Sequence, residues 1–125
     1  MSAYFVPEWM AGYYDHRCRL FSADACCSRC GTADPMVLSL RSRRLLCRRC
    51  DLYRRTGRTT ELHHLGGRPS ALVIEVDAND HAWLTAYQYG WRGRLTPGSW
   101  QAVFCDVVAL LSISLAKGVG RGEAA

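Results

Sequence analysis

LCRRCDLYRRTGR, residues 46–58, sets two cysteines three positions apart, follows them with Leu52 and Tyr53, and surrounds both with arginine. A matching pair, Cys27-Ser-Arg-Cys30, lies upstream, with sixteen residues between Cys30 and Cys47. A C-x-x-C turn offers two thiolates to one ion while its backbone amides stabilise the sulfur charge, and two such turns complete a tetrahedral shell. With no histidine or carboxylate at a ligand position and no open coordination site, the role is structural rather than catalytic. The spacing predicts one structural Zn2+ on Cys27, Cys30, Cys47 and Cys50; four free cysteines in an apolar core are the alternative.

Between the pairs, the apolar runs 36–40 and 44–46 flank the polar turn Arg41-Ser42-Arg43, which predicts a β-hairpin. Residues 47–55 combine Leu52 and Tyr53 with good helix formers and run into Gly57, so the second cysteine pair is expected on the first turn of a short helix. Knuckle, hairpin, helix is a treble-clef order. So small a module buries too little core to fold alone, and zinc would contribute on the order of 10 kcal/mol.

These residues resemble the GATA-type zinc finger, whose pattern runs C-x-N-C-G-T-x-x-T-P-L-W-R-R, then L-C-N-A-C-G-L-Y and a basic tail. The matching positions are Cys27, Cys30, Gly31, Thr32, Pro35, Leu46, Cys47, Cys50, Leu52 and Tyr53. The resemblance covers about a third of the chain and implies a treble-clef zinc site that presents its hairpin and helix to DNA. Where that family carries Asn, Ala and Gly, this chain has Arg48, Arg49 and Asp51, and the hairpin tryptophan is absent. The zinc geometry transfers; the family's base reading does not.

Charge is concentrated on the same module. The formal charge is +5, and Lys117 is the sole lysine among sixteen basic residues. Residues 26–68 hold ten basic side chains against three acidic, while the remainder holds six against eight. Eight arginines fall within residues 41–58: Arg41, Arg43, Arg44, Arg48, Arg49, Arg54, Arg55 and Arg58. Guanidinium forks pair bidentately with phosphate oxygens and release counterions, so these eight are the candidate nucleic-acid contacts, with DNA expected over RNA. A solvated basic face and an acidic protein partner are the competing readings.

The N-terminus MSAYFVPEWMAGYYDH lacks a basic region followed by an unbroken apolar run, so an intracellular setting is expected, nuclear in a eukaryotic or virus-infected cell, and metal is favoured over disulfides for the seven cysteines. Cys18, Cys26 and Cys105 fall outside the paired spacing. Cys18 with His16 is a weak candidate for a second site because two ligands two apart have no partner pair, and His63 with His64 is weak because the four cysteines already saturate one ion. No nucleophile elbow, phosphate loop or paired-carboxylate arrangement is present, and an enzyme is not expected.

Beyond Gly66-Gly67-Arg68-Pro69 arginine thins out and aromatics gather. Residues 72–76 read as a strand and Asp77-Ala-Asn-Asp80 as a turn. For 81–91 a helix capped by Asp80 competes with a strand whose Trp83, Thr85, Tyr87, Tyr89 and Trp91 alternate; the strand is preferred, closing a hairpin. Thr96-Pro97-Gly98-Ser99 starts a long helix from Trp100 to Lys117, ended by Gly118. Asp106 interrupts its apolar run and argues against a membrane span, so this helix is expected to bury itself against a second copy or a protein partner through 99–117.

The reading is a small α+β protein: an N-terminal segment (1–25), a GATA-like finger (26–60), a linker (61–70), a hairpin-plus-helix region (71–117) and a flexible tail (118–125). Its expected function is zinc-dependent binding of nucleic acid in transcriptional regulation. An adaptor that engages proteins through the finger and the apolar helix is the alternative.

Overall fold

The computed structural model describes residues 4–41 and 43–124, the last six by backbone alone; residues 1–3, Ser42 at the expected hairpin turn, and Ala125 at the end of the expected tail lie outside the described residues. The fold is α+β. After a 3₁₀ turn at Glu8–Met10 come α1 (Ala11–Leu20), β1 (Leu38–Ser39), β2 (Leu46–Cys47), α2 (Arg48–Thr56), β3 (Thr60–His64), β4 (Val73–Asp77), α3 (Ala78–Gln88) and α4 (Trp100–Ala124). β1 pairs with β2, and β3 with β4, both antiparallel.

The cysteine half follows the expected order. β1 and β2 form the short hairpin, with Leu38 opposite Cys47. α2 starts because the Cys47 sulfur accepts the N–H of Cys50, holds Asp51 in its first turn and Arg54 and Arg55 in its last, and stops at Gly57. Gly57 adopts φ 74°, a left-handed conformation that glycine enters without strain, and returns its N–H to Tyr53 O at 2.8 Å. The 1–25 stretch, which carried no predicted element, forms α1.

The second half departs from expectation in three places. The hairpin exists, but β4 pairs with β3, drawn from the stretch read as a linker; Leu62 faces Glu75 and His63 faces Ile74 in the register. Residues 78–88 are helix, not strand. Trp83, Tyr87 and Trp91 fit alternation and also a four-residue helical spacing, and the N-cap decides: the Asp77 carboxylate accepts the N–H groups of Asn79 and Asp80. Gly118 does not end α4, which runs on to Ala124. Glycine costs a helix about 1 kcal/mol per position, yet unlike proline it removes no hydrogen bond, so it weakens a terminus without imposing a stop.

One core joins the two halves. Met10, Met36, Leu38, Cys47, Trp83 and Leu84 belong to a single buried cluster that extends to Ala109 and Ile113 of α4. A polar node ties the other side together. Asp106 Oδ2 accepts the Gly66 N–H at 2.7 Å, Gln88 Nε2 at 3.0 Å and His63 Nε2 at 3.0 Å, joining the β3–β4 loop, α3 and β3 to α4. Three donors on one buried carboxylate oxygen offset the desolvation that an isolated charge would suffer there.

Candidate metal centre and basic groove

Each cysteine pair is held by its own turn. The Cys30 N–H points at Cys27 Sγ and the Cys50 N–H at Cys47 Sγ, both at 3.5 Å, the amide-to-sulfur contacts of a metal-binding knuckle. The first turn is closed by Cys27 N–H on Thr32 O at 2.8 Å and by Gly31, at φ 81°, on Cys27 O at 2.9 Å. Ser28 N–H bonds Leu45 O at 2.8 Å, which brings the first knuckle against the strand that carries the second.

The four sulfurs then lie within 4.8 Å of one another. The Cys30 and Cys47 sulfurs are 3.6 Å apart, close to the roughly 3.8 Å edge of a tetrahedron with 2.3 Å metal–sulfur bonds. Cys27, Cys47 and Cys50 are buried, and Cys30 faces solvent. The cluster can hold one metal ion, and among the described residues no other group of three or more histidine, cysteine or acidic side chains is so placed.

The thiols are not equivalent. Burial pushes Cys27 up, but the N–H groups of Cys30, Cys47 and Arg29 outweigh it and bring the thiol down to about 6. At Cys50 burial and the neighbouring sulfurs push the thiol up to about 12. One sulfur ionises only while another keeps its proton, because four thiolates this close repel; a divalent cation removes that conflict.

None of the remaining cysteines joins the cluster. Cys18 and Cys26 are exposed, Cys105 is half-buried on α4, and none of the seven is in a disulfide. His63 is committed to Asp106, and His64 lies 3.2 Å from Ser70 O through Nδ1.

The eight arginines divide. Arg41, Arg48 and Arg55 line a groove of about 280 Å³ between the β1–β2 hairpin and α2, and Asp51 and Glu61 share its walls. Arg54 and Arg55 are bound to the buried Asp51 carboxylate at 2.8 and 3.1 Å. Arg49 pairs with Asp77 at 3.4 Å, while its N–H donates to Asn79 Oδ1 at 3.0 Å, docking the start of α2 on α3. Arg43, Arg44 and Arg58 are exposed and are not walls of the groove. Of the arginines that line the groove, Arg41 and Arg48 have no ion pair among the described residues and are the ones left for an anion.

Arg17 completes the groove and was not singled out in the sequence. From α1 it donates Nε to Pro35 O at 3.0 Å and Nη2 to Leu38 O, closing one wall over the hairpin. Its partners lie 18 and 21 residues away, and no local spacing announces them. Arg29 is a second omission: its guanidinium stacks over Tyr53 at 4.5 Å, packing the first knuckle on α2.

Comparison of this chain with protein-family models, curated proteins and solved structures gives no match.

Proposed function

We propose that the chain is a zinc-stabilised nucleic-acid-binding protein acting in transcriptional regulation, inside the cell and in the nucleus where there is one, and that it is not an enzyme. The observation that supports this reading is the junction of the two features above. α2 begins at a cysteine of the metal centre, and the same helix, with the hairpin before it, supplies Arg41, Arg48 and Arg55 to one groove. A metal ion that locks both knuckles would fix the spacing of these guanidinium groups and lower the entropy lost on binding. Zinc fits the four-sulfur donor set, as does the GATA-like order of knuckle, hairpin and helix.

Phosphate is the ligand such a groove suits, since guanidinium pairs with it bidentately, and duplex DNA is favoured over RNA by the resemblance to GATA-type fingers. Base specificity is not part of the proposal, because Arg48, Arg49 and Asp51 replace the family's residues on α2. The deciding experiment titrates the protein onto duplex DNA and onto RNA over a salt series, with and without a chelator. Binding should fall steeply with salt and vanish with the metal. Replacing Arg41 and Arg48 by alanine should weaken it across sequences and flatten the salt slope by about 0.9 per lost phosphate contact. Unchanged binding in that variant, or binding indifferent to salt, would overturn the proposal.

A second reading, a protein-interaction adaptor, is favoured by the exposed apolar side of α4. Loss of a protein partner with nucleic-acid binding absent from the start would support it.

A further inference from the structure

α4 buries the wrong face for an ordinary amphipathic helix. Ala102, Ala109, Ile113 and Ala116, with Asp106 among them, pack inward and Leu110 lies half-buried against the core, while six large apolar side chains point to solvent. Trp100, Phe104, Val107, Val108, Leu111 and Leu115 recur at intervals of three and four residues, and form one stripe on the side opposite the buried alanines. Trp100 is 74% exposed, Phe104 61% and Leu115 71%. No charged residue falls within the stripe.

We propose that this stripe is a self-association surface, on which two copies of the chain pair antiparallel about a two-fold axis between Val107 and Val108. The ordering of side-chain sizes argues for a second copy rather than an unrelated partner. Reversing α4 about that point sets Trp100 against Leu115, Phe104 against Leu111 and Val107 against Val108, so large residues meet large ones at both ends and the two valines meet where the helices cross most closely. A two-fold interface must be self-complementary in this way. Complete coverage of the exposed stripe would bury roughly 700 Å² per copy, at most about 1,400 Å² for a pair, which is within the range of standard stable interfaces. An apolar cleft of about 340 Å³ runs alongside it, sharing Phe104 and Val108 and walled by Trp9 and Trp91, and enlarges the surface available to the second copy.

The segment Trp100–Gly118 is long and apolar enough to cross a membrane. Spanning would require α4 to leave its socket and carry Asp106 into lipid, breaking the bonds from Gly66, Gln88 and His63. Pairing through the stripe leaves all three in place.

The test is light scattering of the purified full chain in detergent-free buffer at micromolar concentration. Wild type should run at twice 14.0 kDa. Leu111→Glu with Leu115→Glu, both at solvent-facing positions, should keep the helical circular dichroism and weaken pairing ~100-fold or more. The arrangement is read separately by mild oxidation and peptide mapping. Val108→Cys should cross-link to its counterpart, whereas Trp100→Cys, roughly 22 Å from its own copy in an antiparallel pair, should not. A wild-type monomer at every concentration, a double variant that stays dimeric, or recovery on neutral lipid vesicles in place of a soluble dimer would overturn the proposal. A Trp100→Cys cross-link without a Val108→Cys one would overturn the antiparallel arrangement. None of these readouts involves nucleic acid, so they stand apart from the groove's function.

Discussion

The indole Nε1 of Trp83 donates to Asp34 Oδ2 at 2.8 Å and so fastens α3 to the loop that leaves the first cysteine pair. The other oxygen of Asp34 accepts the Met36 N–H at 3.0 Å, and Trp83, fully buried, stacks on Tyr4 at 4.5 Å between ring centres. Burial pushes the Asp34 carboxyl up, against the pull of these two donors. A bond between residues 49 apart makes the metal centre and the α3–α4 half cooperative parts of one structure rather than beads on a string.

Metal removal should therefore be felt at Trp83. With chelator under reducing conditions, the tryptophan emission should shift to the red and helical circular dichroism should fall by more than the nine residues of α2 account for. Cys47→Ser should do the same, and metal analysis should find no stoichiometric zinc in it. Cys105→Ser should retain the metal, since Cys105 lies outside the cluster. A chelated protein with unchanged tryptophan emission would show that the halves fold independently.

Trp83→Phe separates the hydrogen bond from most of the packing. Phenylalanine keeps an aromatic ring against Tyr4 but leaves Asp34 Oδ2 without its indole donor in a mostly buried site. A loss of about 1–3 kcal/mol is expected from urea unfolding. A neutral result would mean that solvent replaces the donor there.

Paired and unpaired arginines should behave differently. Arg41→Ala and Arg48→Ala remove guanidinium groups that have no ion pair among the described residues, so they should lower nucleic-acid affinity and leave unfolding nearly unchanged. Arg49→Ala breaks the contact with Asp77, with side chains 39% and 24% exposed. So exposed a pair contributes within about 1 kcal/mol, and its loss should appear chiefly as a small drop in stability. Equal effects of all three on binding would remove the distinction drawn between groove and frame.

The cysteine pairs were legible because C-x-x-C encodes its own turn, and α2 because its cap, its apolar pair and Gly57 lie within eleven residues. What escaped was whatever depended on distant partners. β3 reads as polar, Thr-Glu-Leu-His-His, and His63 is an interior residue because Asp106, 43 positions later, lies 3.0 Å from its Nε2 as hydrogen-bond partner. α1 docks through Arg17 on carbonyls that no periodicity points to. In α3 the aromatic spacing satisfied two periods at once, and the cap that decides between them was assigned to Asp80 instead of Asp77. On α4 the start was visible, but not which apolar side faces inward: the alanines, Ile113 and Leu110 lie on the core side, while Leu111 and Leu115 face solvent.

Gly66 sits where a side chain has no room. At φ 80° it is left-handed, and an added Cβ would meet Val103 at 2.7 Å from Cγ2 and 2.8 Å from its backbone nitrogen. The residue also joins the β3–β4 loop to the turn before α4 by accepting the Gly98 N–H at 2.6 Å, and to α4 itself by donating to Asp106. Gly66→Ala should destabilise by on the order of 2–3 kcal/mol, with Gly93→Ala, also left-handed but in open space, costing less. Urea midpoints of the two variants give the comparison.

The Asp106 carboxylate gives the fold an acid limit. Burial pushes its pKa up, but the donors His63, Gly66 N–H and Gln88 outweigh burial and hold it below the ordinary carboxylate value. A carboxylate whose folded-state pKa is depressed contributes stability that is fully present above its unfolded value, about 3.9, and is lost as pH falls through the folded value. Asp106→Asn carries no charge at any pH and turns an amide toward donors, so at pH 7 it should cost about 3–5 kcal/mol, as when one partner of a buried pair is removed. The difference between wild type and variant is the informative quantity. Loss of metal from protonated cysteines affects both proteins alike and cancels in that difference. It should be constant from pH 7 to about 5 and shrink below that as the unfolded chain's Asp106 begins to bind protons. A difference that stays flat through pH 4 and below would mean that folding leaves the Asp106 pKa at its unfolded value, and one that grows as pH falls from 7 would mean that Asp106 is protonated inside the fold, the three donors holding a neutral acid.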